Sequence, residues 1–234
     1  MNEYSLSSQK NLQHKNPVIG GFVPFSTVDW PGKLAATLFI SGCPWRCHYC
    51  HNPHLQGRQS QADWKDILER LSHRKGLLDG VVLSGGEPLV DQCCATIVDA
   101  SGHLGFEVAV HTAGIYPARL SELLPKLSWV ALDIKTSERA YDQLTGSRGS
   151  FARANESLNL LLDWGGQFEC RTTWSPEWLT EMELIDLAQS LSARGVREYA
   201  IQRFRNIESQ ATSVSLSQSA LNTLQGLFGK FSYR

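Results

Sequence analysis

Leu34-Ala-Ala-Thr-Leu-Phe-Ile40 runs straight into Ser41-Gly-Cys43-Pro-Trp-Arg-Cys47-His-Tyr-Cys50-His-Asn-Pro53. The first stretch is an apolar run of strand length, bounded by Pro31-Gly32 before and Ser41-Gly42 after. It reads as a buried strand. The second is a loop leaving that strand with three thiols in the spacing CxxxCxxC.

Outward from this point the same beat repeats. Val81–Ser84, Glu107–His111, Trp129–Ile134, Phe168–Thr173 and Glu198–Gln202 read as further strands. Amphipathic stretches separate them. Ser60-Gln-Ala-Asp63 precedes Trp64, Ile67, Leu68 and Leu71 at helical spacing, and Thr180-Glu-Met-Glu183 is a second capping pattern ahead of Leu184, Ile185, Leu187, Ala188 and Leu191. Asp91–Ala100, Ala118–Leu124, Ala152–Trp164 and Gln218–Leu227 supply the other helices. Alternating strands and helices predict an α/β fold with a parallel sheet and right-handed crossovers. Six such units suit an open doubly wound sheet or an incomplete barrel, and periodicity does not choose between them.

The polar residues are placed where such a fold binds ligands, at the C-terminal ends of its strands. Cys43 follows the first strand, Gly85-Gly86-Glu87 the second, and His111-Thr112 closes the third. Asp133 and Lys135 end the fourth, Thr173-Trp174 the fifth and Gln202-Arg203 the sixth. Asp133 and Lys135 flank Ile134, so both point to one face of the strand end and need either a ligand or each other. Gly85 and Gly86 lack Cβ and allow close backbone approach.

Thiolates suit iron–sulfur clusters and zinc. An electron-carrying [4Fe–4S] centre takes four cysteines; three thiolates leave one iron open, as catalytic zinc keeps an open position. The alternative from the cysteines alone is structural zinc completed by His48, His51 or His54. Of the remaining cysteines, Cys93 and Cys94 are adjacent and point about 100° apart on a helix. With Cys170 they read as small core residues. Trp64, Trp164, Trp174 and Trp178 read as core or barrel rim, and Arg203 and Arg205 as a solvated edge or an anion contact.

Cys43-Pro-Trp-Arg-Cys47-His-Tyr-Cys50 resembles the cluster loop of the radical S-adenosylmethionine (SAM) superfamily. Ser84-Gly-Gly-Glu-Pro88 resembles that superfamily's GGE motif. Ser26-Thr-Val-Asp29-Trp-Pro31-Gly32, Ala131-Leu-Asp133-Ile-Lys135 and Tyr141-Asp-Gln-Leu-Thr-Gly146 are similar to segments of the activating enzymes of glycyl radical proteins, including those of pyruvate formate-lyase and of anaerobic ribonucleoside-triphosphate reductase. The resemblance covers roughly Gly20 to Arg205.

It implies an incomplete (β/α)6 TIM-like barrel. It also implies a [4Fe–4S] cluster on Cys43, Cys47 and Cys50, with SAM chelating the open iron. Tyr49, Gly85, Gly86, Glu87, His111, Asp133, Lys135 and Gln202 become the expected cofactor contacts. Reductive cleavage of SAM would yield a 5′-deoxyadenosyl radical, with the cofactors carrying the hard chemistry and no protein general base required. The implied partner is a glycyl radical enzyme, foremost anaerobic (class III) ribonucleoside-triphosphate reductase, and the implied electron donor is a flavodoxin or ferredoxin. A radical SAM enzyme acting on a small molecule is the second reading; a zinc-stabilised binding module without catalysis is the third. Two departures stand against the pyruvate formate-lyase pattern: His111-Thr-Ala-Gly114 replaces a DTNG-like sequence, and Gln202-Arg203 stands where a histidine is usual.

The bulk numbers fit this reading. The chain has 234 residues, 42% hydrophobic and 19% charged, with a formal net charge of −1. That balance builds an ordinary core and offers no global attraction for nucleic acid or an anionic membrane. No apolar run reaches membrane-spanning length, and the polar N-terminus lacks a signal-peptide core. We therefore expect a cytoplasmic protein with a flexible leader at residues 1–18 and one domain at 19–234.

Overall fold

The computed structural model describes residues 16–204 and 215–234. Among them eight strands form one sheet in sequential order: β1 (Ile19–Ser26), β2 (Ala35–Ile40), β3 (Gly80–Gly85), β4 (Glu107–Thr112), β5 (Trp129–Asp133), β6 (Phe168–Trp174), β7 (Glu198–Arg203) and β8 (Lys230–Tyr233). β1 runs antiparallel to β2, and every later pair is parallel. The crossovers carry α1 (Trp64–Ser72), α2 (Cys94–His103), α3 (Pro117–Leu123), α4 (Glu138–Thr145), α5 (Ser150–Trp164), α6 (Glu181–Ala193) and α7 (Gln218–Leu227). Parallel neighbours joined in order by crossovers, which as a rule are right-handed, collect their helices on one face and curl the sheet towards a barrel. The edge strands β1 and β8 do not pair with each other, so the barrel stays open along one side.

The strand pleat separates two interiors. Ala36, Leu38, Ile40, Val81, Leu83, Val108, Val110, Val130 and Leu132 face outward into the main core beneath the helices. Their alternating neighbours Ala35, Val82, Ala109, Trp129 and Ala131 face inward around Trp30. Ala35, Val82, Ala109 and Ala131 are small and leave room for two indole rings: Trp30 and Trp129 stack at 6.0 Å and 18°. This plug fills the barrel's lower half. Gly80 is part of the fit, since a Cβ there would lie 2.6 Å from the Trp30 ring. Above the plug the inward positions become polar, and the cavity begins.

Strands β2–β7 occupy the six expected runs. Three elements were not legible. β1 contains Gly20-Gly21 and Pro24, which mask strand character but suit an edge strand with irregular register. β8 is four residues long and gains its order from pairing with β7. α4 lies inside a stretch read only as a motif. Two helix starts also move. Asp63, not Ser60, caps α1 by accepting from the amides of Lys65 and Asp66. Pro88–Val90 forms a 3-10 turn, so α2 begins at Cys94 instead of Asp91. The capping box at Thr180 and Glu183 forms with both of its hydrogen bonds. Residues 1–15 of the expected leader lie outside the described residues; Val18 is tied in, its amide donating to Asp91 Oδ2 at 3.0 Å. Among the described residues no helix is long and apolar enough to cross a membrane.

Candidate active site

The cysteine loop leaves β2 and is pinned from two directions. The end of the 3-10 turn Pro53–Leu55 holds it through Gly42 N to Leu55 O (2.7 Å) and Cys43 N to Gln56 O (3.1 Å). The C-terminus of α4 holds it through Arg46 N to Thr145 O (2.8 Å). Trp45 packs edge-on against buried Tyr141, centroids 6.0 Å apart. The Tyr141 hydroxyl in turn donates to Asp133 O at 3.3 Å and accepts from Lys135 N at 3.2 Å. The Tyr141–Gly146 motif is therefore the brace that fixes the cysteine loop against the end of β5.

Cys43, Cys47 and Cys50 are free, partly exposed thiols on the wall of one cavity of about 210 Å³. Burial pushes the Cys43 thiol up to about 12, with Glu87 adding to the effect, and burial also raises Cys47. Among the described residues no three His, Cys, Asp or Glu side chains converge on one metal ion. The thiols open onto shared space instead of closing around one atom.

The opposite walls come from the ends of β3 to β7. Gly85 and Gly86 line the cavity. Their missing Cβ atoms serve the protein's own packing: at Gly85 (φ +123°) a Cβ would lie 2.3 Å from Ile40 O, and at Gly86 2.5 Å from Gly42 O. The β3 turn thus sits directly on the backbone of the cysteine loop. Glu87 lies behind this wall, 0% exposed. It accepts from Thr112 Oγ1 (2.7 Å) and the amides of Ala113 (2.9 Å) and Leu89 (3.1 Å), joining the ends of β3 and β4. Burial raises its carboxyl to about 7 against the pull of those donors.

Asp133 and Lys135 meet as an ion pair at 3.0 Å while both line the cavity. Burial works against the Lys135 charge, but Asp133 together with Tyr49, Cys47 and Tyr141 outweighs it and holds the ammonium form. Tyr49 is buried beside this pair, with Lys135 Nζ 5.7 Å from its ring centre. Its ring also packs at a tilt against Trp178 at 5.1 Å, which continues to Phe204 at 4.7 Å. His111 hangs over the plug, its ring 5.8 Å from Trp129, and donates from Nε2 to Asp29 O at 2.7 Å. Burial and the nearby Arg171 charge keep this imidazole neutral. Gln202 reaches the cavity from β7.

Of the expected site residues, all but Glu87 line this one cavity. Thr173 lines it from the end of β6 as its strand-end position suggested, and so do Trp45, Ser84 and Arg171, which sequence reading did not single out as site residues. For Arg171 a signal existed: Glu169 and Arg171 are charges at alternate positions of an apolar strand. Arg203 turns to the β8 edge, with its guanidinium 5.5 Å from the Tyr233 ring; Arg205 lies outside the described residues. Cys94 donates to Pro88 O at 2.6 Å, and Cys170 belongs to the main core.

A model of the radical SAM superfamily matches residues 37–168, more than half of the chain. The chain belongs to the radical SAM superfamily. Members use a [4Fe–4S] cluster and SAM, and this radical SAM enzyme does likewise. It is 29% identical over 199 residues to a Methanocaldococcus jannaschii protein that carries the name glycyl-radical enzyme activating enzyme, covering 80% of each chain. It is 33% identical over 147 residues to the pyruvate formate-lyase-activating enzyme of Clostridium pasteurianum, covering 57% of this chain and 60% of that one. The crystal structure of QueE from Escherichia coli shares the fold, with a TM-score of 0.58, 17% identity and 97% of both chains covered.

The donor set suits these cofactors. Three thiols supply soft ligands for iron. Among the described residues Trp45 Nε1, Tyr49 Oη and Arg171 Nη2 are buried without a hydrogen-bond partner, and the side chains that carry them line the cavity. Orphaned polar atoms gathered around one space mark where a polar ligand completes the structure.

Proposed function

We propose that Cys43, Cys47 and Cys50 hold the [4Fe–4S] cluster, and that the chain installs a glycyl radical on a partner enzyme, anaerobic ribonucleoside-triphosphate reductase by the motifs it carries. The observation that carries the cofactor assignment is the meeting of three free thiols, Gly85-Gly86 and the Asp133–Lys135 pair in one cavity rich in unpartnered donors. When bound and reduced, the cluster with SAM supplies one-electron cleavage of a sulfonium and hence a hydrogen-abstracting carbon radical.

The protein's own residues position and protect. Lys135, kept charged by Asp133, offers an ammonium to the SAM carboxylate. Tyr49 offers a ring face and an unused hydroxyl to the nucleoside end, and Gln202 offers an amide from β7. The Trp30–Trp129 plug closes the barrel beneath them to water. His111 is neutral and engaged with Asp29, so it shapes the floor without carrying charge. A glycyl radical enzyme as the partner is supported by the 80% overlap with the Methanocaldococcus relative. A flavodoxin or ferredoxin would deliver the electron. The six cysteines form no disulfide, which suits a reducing cytoplasm.

The test is anaerobic reconstitution with iron and sulfide, then SAM, dithionite and assay for 5′-deoxyadenosine. Product is expected from the wild type and not from Cys43→Ala, Cys47→Ala or Cys50→Ala. Adding the reductase should leave a glycyl radical visible by electron paramagnetic resonance. Cleavage of SAM that never marks a glycyl radical enzyme would favour the small-molecule reading. Stoichiometric zinc in place of iron would refute both.

A further inference from the structure

Beside the cavity stands a group of rings that the hydrophobic clusters leave out. Among the described residues Tyr49, Trp178 and Phe204 belong neither to the main core, nor to the indole plug, nor to the cluster around Trp45 and Tyr141. They join three chain segments: the cysteine loop, the turn after β6 and the end of β7. Trp178 meets Tyr49 at 5.1 Å with the planes tilted 41°. Phe204 meets Trp178 edge-on at 4.7 Å and 79°, and His51 stacks on Phe204 at 5.8 Å and 9°. Tyr49 lines the cavity, whereas half-buried Trp178 and Phe204 stand outside its lining.

Trp178 has a firm mount. Its turn is closed by the amides of Trp178 and Leu179, which both donate to Ser175 O at 3.1 Å, and by Trp174 Nε1, which donates to Leu179 O at 2.9 Å. Phe204 N donates to Trp174 O at 3.0 Å, so the end of β7 is tied to the same strand end. Tyr49 lies in the turn of the cysteine loop that Cys50 N closes on Cys47 O at 3.1 Å. Its ring turns about two side-chain torsions, and the indole on one segment meets the ring on another. An aromatic pair of this kind has a preferred geometry as well as an area of contact.

We propose that Trp178 is a positioning residue for SAM: backed by Phe204, it fixes the plane of the Tyr49 ring that serves the nucleoside end. The proposal rests on that role of Tyr49 and not on the identity of the partner enzyme. Without the indole, Tyr49 can turn into the space left behind. The cost of ordering the ring then falls on SAM binding, which weakens although Trp178 itself touches no cofactor.

The test is equilibrium dialysis of labelled SAM against the reconstituted holoprotein, with iron content measured on the same samples. Trp178→Ala should weaken SAM binding roughly three- to tenfold, the scale of one lost aromatic pair. Trp178→Phe keeps a ring and should recover most of that affinity, and both variants should hold iron at the wild-type level. Tyr49→Leu should weaken SAM by itself, and adding Trp178→Ala to it should weaken SAM no further, because the indole then has no ring to hold. If the leucine variant does not retain iron, Tyr49→Met takes its place in the cycle. Losses that multiply in the double variant would show Trp178 acting independently of Tyr49 and overturn the proposal. Loss of iron in step with loss of SAM would make the indole a support of the cysteine loop alone and overturn it equally. Unchanged SAM affinity in Trp178→Ala, with weakening in Tyr49→Leu, would leave the role of Tyr49 standing and refute the positioning role. Unchanged affinity in Tyr49→Leu would refute both.

Discussion

Replacing Gly86 by alanine should unseat the cysteine loop. No positive φ is needed at Gly86, so the effect is steric. The added Cβ would lie 2.5 Å from Gly42 O and 2.7 Å from Leu55 O, both backbone atoms that cannot rotate away. The same seam contains hydrogen bonds from Gly86 N to Ile40 O (3.0 Å), from Glu87 N to Gly42 O (2.8 Å) and from Gly42 N to Leu55 O (2.7 Å). Overpacking of this kind costs about 1–3 kcal/mol, and loosening two of the three bonds costs roughly 1 kcal/mol each. The sum is about 3–5 kcal/mol, or a fall in Tm of about 6–20 °C for a chain of this length. Because Gly42 adjoins Cys43, the displaced loop should also retain less iron after desalting. The assay is anaerobic thermal unfolding together with iron content. Gly57→Ala is the control, since a Cβ there meets nothing within 4 Å and should change Tm little. A Gly86→Ala protein with wild-type Tm and full iron would refute the argument that this glycine exists to seat the loop.

Glu87 should give stability a pH dependence. Its carboxyl is raised from 4.5 to about 7 by burial, so the folded state binds a proton that the unfolded chain has already released between those values. Its contribution is full below about pH 4.5 and is lost as pH rises through about 7, a span of on the order of 3 kcal/mol. Denaturant titrations from pH 5 to 8 should show the wild type losing stability relative to Glu87→Gln, and a difference that stays constant across that range would contradict the assignment. Tyr49→Phe removes a buried hydroxyl that has no hydrogen-bond partner among the described residues. The cofactor-free chain should keep its stability within about 1 kcal/mol, while SAM binding to the reconstituted protein weakens severalfold. A stability loss without a change in SAM affinity would mean that Tyr49 serves the core alone.

Much of the site was legible because its residues sit at strand ends, where chain order and pleat dictate placement. Cys43, Gly85, His111, Asp133 and Gln202 could be aligned on one rim from the periodicity of β2–β7 alone, and the structure brings them into one cavity. Glu87 shows the limit of that reasoning. Its place in a motif beside two glycines does not reveal that Thr112 and Ala113, some twenty-five residues later, take both its oxygens. Tyr141 shows the same limit from the other side: its position in a motif was visible, but its support of Trp45 and the β5 end was not.

The sequence by itself determined the alternation of strands and helices, the shared face of Asp133 and Lys135, and the thiol loop on the first of the strands β2–β7. These follow from local periods of two and 3.6 residues and from side-chain chemistry. Tertiary structure alone decided the two edge strands, the indole plug, and the sharing of Glu169 between Arg171 and Arg234. β8 is strand because β7 lies beside it, Trp30 is inside because Ala35, Ala109 and Ala131 leave room, and Arg171 is short of a partner because a residue far along the chain reaches the same carboxylate. Each depends on which distant segments become neighbours, and a chain read one window at a time holds no record of that.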